Sequence, residues 1–152
     1  MKWMSIDPRA NTNVAQLIDA NLDRAREGLR VVEDWCRYGL NEKELVVTLK
    51  DWRQQLGKHH HEIYKLARDI NKDEGIGLHH PSQNERNSPK EIVAANCSRV
   101  QEALRVIEEF TRITDPNLCK IATKIRYETY EIEIKVLNAT EVKKKRQTLK
   151  EC

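Results

Sequence analysis

Two asparagine–arginine pairs in this sequence have the residue types and the spacing to surround an anion. Asn21 precedes Arg24, and Asn96 precedes Arg99, at equivalent places of a repeated segment. Because a helix turns by about 100° per residue, both members of each pair fall inside the apolar arc of a predicted helix. An arginine in such an arc is costly unless a carboxylate, a helix end or a bound anion pairs with it. The pairs therefore predict a polar interior that the repeated helices share.

The residues alone leave two explanations of this interior open. Glu33 and Glu108 lie on the other flank of the apolar stripe and are available as partners across helices. The structural interpretation is a symmetric buried network, Arg24 with Glu33 and Arg99 with Glu108, which fixes the register of the bundle. The functional interpretation is a ligand site between the repeated helices, since bundle interiors are common places for such sites.

The repeat that carries these residues covers 20–37 and 95–112. Its two copies read ANLDRAREGLRVVEDWCR and ANCSRVQEALRVIEEFTR. Most charged positions recur, and several differing positions are conservative exchanges. We interpret this similarity as a duplication that fixes the architecture of the chain.

A second polar set of the repeat falls on the far face of each helix. It consists of Glu27 and Arg30 in the first copy, and of Glu102 and Arg105 in the second. Exposed pairs of this kind contribute little to helix stability. They would suit a self-complementary surface, so a homodimer with the repeat at its seam is a further possibility.

The composition favours a helical protein with one core. The chain has 152 residues, of which 34% are charged and 5% aromatic, with few glycines and prolines. A net charge of +3 is too small for a nucleic-acid-binding surface. The four cysteines have no metal-like spacing, and no apolar run is long enough to be a secretory signal or to cross a membrane. We therefore expect a reduced, cytoplasmic protein with neither nucleic-acid nor membrane partners.

The first half of the chain predicts two amphipathic helices. Apolar residues at steps of three and four begin at Val14 and continue to Cys36, with a cap among 11–13 and Gly39 as the stop. The second helix is predicted from Asn41 to about Arg68. Its consecutive histidines, 59–61, point in different directions on a helix and do not predict a metal site.

The second half begins with a complete helix-start signal. Ser88 is the predicted N-cap, Pro89 takes the first helical position and Glu91 takes the capping-box position. The Asp115–Pro116 pair repeats this device for a fourth helix. Short connections make each pair of helices an antiparallel hairpin.

The predicted architecture is all-α: a four-helix bundle made of two duplicated hairpins that a pseudo-two-fold axis relates. The repeats cover about 14–68 and 88–139, within a single domain, 1–139. Residues 140–152 are predicted to be a charged tail or linker.

A long polar connection, 69–87, separates the two hairpins. Loops of this length in a compact domain are usually functional or disordered. Gly75 and Gly77 would let backbone N–H groups approach an anion, and Asp69 and Asp73 are candidate ligands of Mg²⁺. The nucleotide signatures GxxxxGK[ST] and GxGxxG are both absent.

The residues named so far resemble a known domain over about 14–137. The stretch Ile18–Tyr38 is similar to the opening of the N-terminal domain of the long, two-domain thiamine phosphate synthases. Further similarity lies in Ala67-Arg68-Asp69 with Asp73 and Gly75, His80-Pro81 with Arg86, Asn96 with 99–106 and 108–109, and Ile125-Arg126-Tyr127. Ile70-Asn71-Lys72 and Ile76 depart from the usual pattern of the loop. The catalytic barrel that follows in the long synthases has no counterpart here.

That N-terminal domain also resembles the monofunctional hydroxymethylpyrimidine phosphate kinases. The resemblance implies a phosphotransferase that uses ATP and Mg²⁺ to convert 4-amino-5-hydroxymethyl-2-methylpyrimidine phosphate into its diphosphate. The synthase barrel, fused or separate, would be the partner that consumes this product. The alternative is a non-catalytic helical module that binds the pyrimidine phosphate or docks to the synthase barrel.

Phosphoryl transfer needs cations around the phosphates, Mg²⁺ and a positioned hydroxyl, which Glu27 and Glu102 are candidates to orient. The predicted catalytic residues are Arg24, Glu27, Arg99 and Glu102. The predicted substrate and phosphate ligands are Asn21, Asn96, Arg53, Arg68, Arg86 and Arg126. Asp69 and Asp73 are predicted to hold Mg²⁺, and Glu33 and Glu108 are predicted to form structural ion pairs.

Overall fold

The computed structural model describes residues 11–68 and 85–151, and its regular elements there are all helical. This confirms the predicted all-α class. The elements are α1 (Thr12–Asp34), a π-helical segment (Trp35–Leu40) that continues α1, α2 (Lys43–Lys58), α3 (Glu62–Leu66), α4 (Pro89–Thr111) and α5 (Pro116–Glu151). None of these helices is long and apolar enough to cross a membrane.

The four long helices form a bundle in which α1 and α4 run antiparallel. At one end, Tyr64 of α3 donates to Asp115, which lies between α4 and α5, over 2.8 Å. At the other end, the indole N–H of Trp35 donates to Thr140 of α5 over 2.9 Å. The N-terminal end of α1 therefore lies beside the C-terminal end of α4, as a two-fold axis across the duplicated helices requires.

The apolar stripe predicted for the first helix lies at the centre of the core. Leu22, Ala25, Leu29, Val32 and Cys36 are each at most 1% exposed. Burial matters chemically as well as energetically, because it raises the pKa of the Cys36 thiol to about 12. The Cys97 thiol of α4 is raised to a similar pKa for the same reason.

The helix starts follow the predicted caps. The side chain of Asn11 accepts from the N–H groups of Asn13 and Val14, at 3.1 and 3.3 Å. Ser88 accepts from the N–H of Glu91 over 3.2 Å. These caps satisfy N–H groups that have no partner within the first turn of a helix.

The prediction of one helix from Asn41 to Arg68 is wrong. Helix α2 ends at Lys58, and His61 has extended backbone angles, φ −64° and ψ 153°. The turn carries His60 and Tyr64 inwards, where they are 5% and 0% exposed. The hydrogen bonds of these two side chains to buried carboxylates therefore stabilise the fold more than a continued helix would.

The predicted stop at Gly39 is also wrong. The π-helical segment continues the chain past Gly39, and Asn41 ends it in the left-handed region with φ 56°. Asparagine tolerates this conformation better than most residues. Gly39 is required for another reason: the Trp35 ring lies against it and leaves no room for a Cβ atom.

The predicted charged tail is helical in this structure. Helix α5 continues through Glu151, and most of its side chains after Glu141 are exposed. Lys143 donates to the carbonyl of Gly39, and Lys90 pairs with Glu141 over 3.3 Å. The first part of the charged region therefore packs against the bundle.

Helices α1 and α4 approach closely at Gly28. A Cβ atom at this position would lie 2.7 Å from Val100 Cγ2 and 3.1 Å from the carbonyl oxygen of Asn96. Val100 is completely buried, so it cannot move without disturbing its neighbours. The glycine therefore sets the separation of the two repeated helices.

We expect Gly28→Ala to lower the free energy of unfolding by about 1–2 kcal/mol, because overpacking outweighs the better helix propensity of alanine. Gly57→Ala is the matched control, since its Cβ would meet only the flexible guanidinium of Arg26, at 3.2 Å. Urea unfolding of both variants checks the prediction. A Gly28→Ala protein as stable as the Gly57→Ala control would contradict it.

Candidate functional site

Each hairpin contains a buried glutamate that an arginine of the following helix binds. Glu33 is 1% exposed and accepts from Arg53 Nε and Nη2, at 3.0 and 3.2 Å. Glu108 is 4% exposed and accepts from Arg126 Nε and, over 3.4 Å, from its Nη2. Two arginines that the sequence suggested as phosphate ligands therefore already hold carboxylates.

Arg24 and Arg99 are exposed, so the predicted pairing of these residues with Glu33 and Glu108 is wrong. Each lies near the edge of the apolar arc, where a long side chain can carry its charge into solvent. Arg24 donates to the amide oxygen of Asn21 over 3.4 Å. The polar interior that the four repeated residues were expected to share is therefore not formed.

The two asparagines adopt the same local geometry. Asn21 is buried and donates to the carbonyl of Leu17 over 2.9 Å, and Asn96 donates to the carbonyl of Ile92 over 2.8 Å. Each bond returns the amide to the preceding turn of its own helix. Each asparagine therefore satisfies one of its amide donors within its own helix.

A polar cluster that the sequence did not predict joins α1 to the chain around α3. Its members are Asp19, Asp23, His60 and Arg68, which we call the Asp19 cluster. Asp19 accepts from Arg68 Nε and Nη2, both at 2.8 Å, and lies 2.7 Å from His60 Nε2. Arg68 Nη2 also donates to Asp23 over 2.9 Å. The cluster fixes Arg68, after which the described chain is interrupted until Glu85.

The charges of the Asp19 cluster are unequally buried. Burial alone would raise the pKa of the Asp19 carboxyl, but hydrogen bonds from Arg68 and His60 outweigh it and hold this pKa below its usual range. His60 is 5% exposed, and its buried Nδ1 has no hydrogen-bond partner among the described residues and lies 3.9 Å from Asp23 Oδ1.

One signal of the cluster was present in the sequence, since Asp19 lies beside the apolar stripe between Ala15 and Leu22.

A cleft of about 520 Å³ opens between α4 and α5, and we call it the α4–α5 cleft. Two of its residues, Glu102 and Arg126, belong to the sequence-predicted site. Arg126 lies over the Tyr127 ring at 4.6 Å, and Arg105 pairs with Glu109 over 2.8 Å. The lining residues are Ser98, Gln101, Glu102, Arg105, Arg126 and Tyr130.

The other predicted site residues are dispersed. Glu27 is exposed on α1, and Arg86 is exposed with a guanidinium N–H donating to the carbonyl of Glu85 over 2.7 Å. The predicted magnesium ligands, Asp69 and Asp73, lie outside the described residues. Among residues 11–68 and 85–151, no group of three or more His, Cys, Asp or Glu side chains has the arrangement of a metal site.

We expect Asp19→Asn to change the pH dependence of stability. A carboxyl with a depressed pKa stabilises the fold above its unfolded pKa of about 4, and this stabilisation is lost as the pH falls through the folded pKa. The variant should therefore be less stable than wild type at pH 7, by about 1–2 kcal/mol, and the difference should shrink towards pH 2.

Chemical unfolding at several pH values measures this effect. Asp34→Asn is the control on the same helix, because Asp34 forms an exposed pair with Arg30, which contributes little. A difference between wild type and Asp19→Asn that stays constant from pH 7 to pH 2 would contradict the prediction.

Comparison with known proteins places these features in a family. The thiamine-phosphate synthase of Prochlorococcus marinus (strain MIT 9303) is 63% identical over 152 residues, which are 100% of this chain and 43% of the relative. The thiamine-phosphate synthase of Synechococcus sp. (strain CC9605) is 59% identical over 97% of this chain and 41% of its own length. The chain therefore spans about two fifths of these curated relatives.

No solved structure matches the chain significantly. The model of the ThiD2 family matches residues 16–135, which include most of α1, all of α2 to α4, the first part of α5, the Asp19 cluster and the α4–α5 cleft. The chain belongs to the ThiD2 family.

Proposed function

We propose that this chain works in thiamine biosynthesis and transfers the γ-phosphoryl group of ATP to hydroxymethylpyrimidine phosphate. The observation that carries the proposal is the family match over 16–135, which includes the whole duplicated repeat. The thiamine-phosphate synthases that match nearly the entire chain support the same pathway. The resemblance of the repeat and of Arg68 and Arg126 to the pyrimidine phosphate kinases supports the reaction type.

The product determines which atom is the nucleophile. Because the product is a diphosphate, an oxygen of the substrate's own phosphate forms the new bond to the γ-phosphorus. The bond between the γ-phosphorus and the bridging oxygen breaks, and ADP leaves with that electron pair. The attacking oxygen is already ionised near pH 7, so the reaction needs no general base. A role for Glu27 or Glu102 in orienting a hydroxyl is therefore unnecessary.

The main task of the protein is to hold two anionic phosphates together. Arginine donors suit this task, because a guanidinium binds phosphate oxygens with two parallel hydrogen bonds. Arg105 and Arg126 both line the α4–α5 cleft, and each has a carboxylate that fixes its position. Preorganised cations of this kind stabilise the charge of the transferring group at no cost in reorganisation.

The proposed Mg²⁺ would neutralise the phosphates of ATP. Mg²⁺ usually keeps several of its waters and binds mainly through substrate phosphates, so it needs few protein ligands. Asp69 and Asp73 remain the predicted protein ligands. No step of the reaction above depends on their placement.

A non-catalytic role is the competing function. The chain spans only about two fifths of its synthase relatives, so a helical module that binds the pyrimidine phosphate or docks to a synthase barrel is also consistent with the family. Such a module would gain thermal stability from the ligand without consuming ATP. Turnover therefore separates the two functions.

We expect the folded chain, incubated with ATP, Mg²⁺ and the pyrimidine phosphate, to produce the diphosphate and ADP in equal amounts. Phosphorus NMR and mass spectrometry of the small molecules measure both products. The control is the same preparation after thermal unfolding, which retains small-molecule contaminants but not the fold. Ligand-dependent stabilisation without any diphosphate, at saturating ATP and substrate, would rule out the kinase and favour the module.

A further inference from the structure

The duplicated hairpins have equivalent buried pairs but different surfaces. The Glu33–Arg53 pair of the first hairpin corresponds to the Glu108–Arg126 pair of the second. When the two pairs are aligned, the α4–α5 cleft corresponds to a groove between α1 and α2. The counterpart residues of Ser98, Gln101, Glu102, Arg105, Arg126 and Tyr130 are, in order, Asp23, Arg26, Glu27, Arg30, Arg53 and Gly57. Two of these positions differ most in size, namely Arg26 against Gln101 and Gly57 against Tyr130.

In the first repeat, the side chain of Arg26 covers Gly57. A Cβ atom at Gly57 would lie 3.2 Å from Arg26 Nη2 and 3.3 Å from its Cζ. Arg26 Nε is buried and has no hydrogen-bond partner in the part of the chain that the structure describes. The guanidinium therefore occupies the groove between α1 and α2 at the place where the second repeat has a tyrosine.

In the second repeat, the equivalent groove is open. The shorter Gln101 side chain donates to Glu133 of α5 over 3.2 Å. Tyr130 lines the groove and is 47% exposed. The duplication has thus left an aromatic cleft in one hairpin and a filled groove in the other.

We propose that the α4–α5 cleft binds a phosphorylated aminopyrimidine, and that each chain has one such site. The inference rests on the proposed function, because it names the place where that substrate binds. The cleft volume of about 520 Å³ is in the range of small-molecule sites, which is roughly 300–1,000 Å³. The α1–α2 groove does not bind this substrate, since Arg26 fills it.

The side chains of the cleft match the three parts of such a ligand. Arg105 offers guanidinium donors to the phosphate, and Arg126 adds the N–H groups that it does not use for Glu108. Tyr130 offers a half-exposed ring against which the pyrimidine can pack. Glu102 is exposed and has no ion-pair partner among the described residues, so its carboxylate is available to accept from the amino group.

The balance of charge distinguishes the pyrimidine phosphate from the nucleotide. Glu108 and Glu109 lie directly behind the two arginines, and Glu102 adds a third carboxylate. These charges would repel a triphosphate more strongly than a monophosphate, which carries less negative charge. The pyrimidine phosphate is therefore assigned to the cleft itself, and the γ-phosphate of ATP needs only to reach the substrate's phosphate at the two arginines.

Calorimetric titration of the 152-residue chain with the pyrimidine phosphate, without ATP, tests the inference. Arg105→Gln is the test variant and Arg30→Gln is the matched control, because both arginines are exposed to a similar extent and pair with a carboxylate four residues later. We expect one ligand per chain, with Kd raised about tenfold by Arg105→Gln and changed less than about twofold by Arg30→Gln. Tyr130→Ala should weaken binding as well, and thermal unfolding verifies that all variants are folded.

The outcomes separate this inference from the proposed function. Two ligands per chain, or equal losses in Arg105→Gln and Arg30→Gln, would overturn the assignment of the cleft even if the diphosphate is formed. One ligand per chain with the expected variant effects, but no diphosphate, would support the cleft and overturn the kinase. A wild-type chain that neither binds the pyrimidine phosphate nor forms the diphosphate would overturn both.

Discussion

A buried carboxylate bound by a guanidinium of the following helix ties each hairpin of this bundle, and the rest of the structure depends on that pair. A glutamate at the core face of α1 or α4 cannot remain ionised there without a partner, because the loss of its hydration costs several kcal/mol. Arg53 and Arg126 supply the missing charge from the following helix. The pairs thus define how each helix lies against its neighbour, and they place the α4–α5 cleft directly beside Arg126.

The sequence predicted the architecture because duplication, periodicity and capping all indicated the same result. The stripe from Leu22 to Cys36 and the caps at Asn11 and Ser88 involve neighbours in the chain, where spacing is informative. The break after Lys58 was not predictable in this way. It depends on Asp19 and Asp115, which reach His60 and Tyr64 only after the bundle has formed.

The site was harder to predict than the fold for the same reason. The positions of Arg24 and Arg99 around the helix axis predicted that both side chains face the interior. Both are exposed, because a long flexible side chain at the edge of an apolar arc can reach solvent. Glu33 and Glu108 were recognisable as buried charges, whereas their actual partners come from helices whose register the sequence does not specify. The cleft itself depends on the difference between Arg26 and Gln101, which looks minor in a sequence comparison of the two repeats.

The buried thiols of Cys36 and Cys97 have a consequence for how the molecule behaves in solution. Burial raises the pKa of both thiols to about 12, so they are un-ionised at pH 7, and the thiolate is the form that reacts with alkylating reagents and oxidants. Both positions are shielded by the centre of the bundle. Their rate of alkylation therefore reports how often the core opens, which gives the molecule two built-in probes of its own global fluctuations.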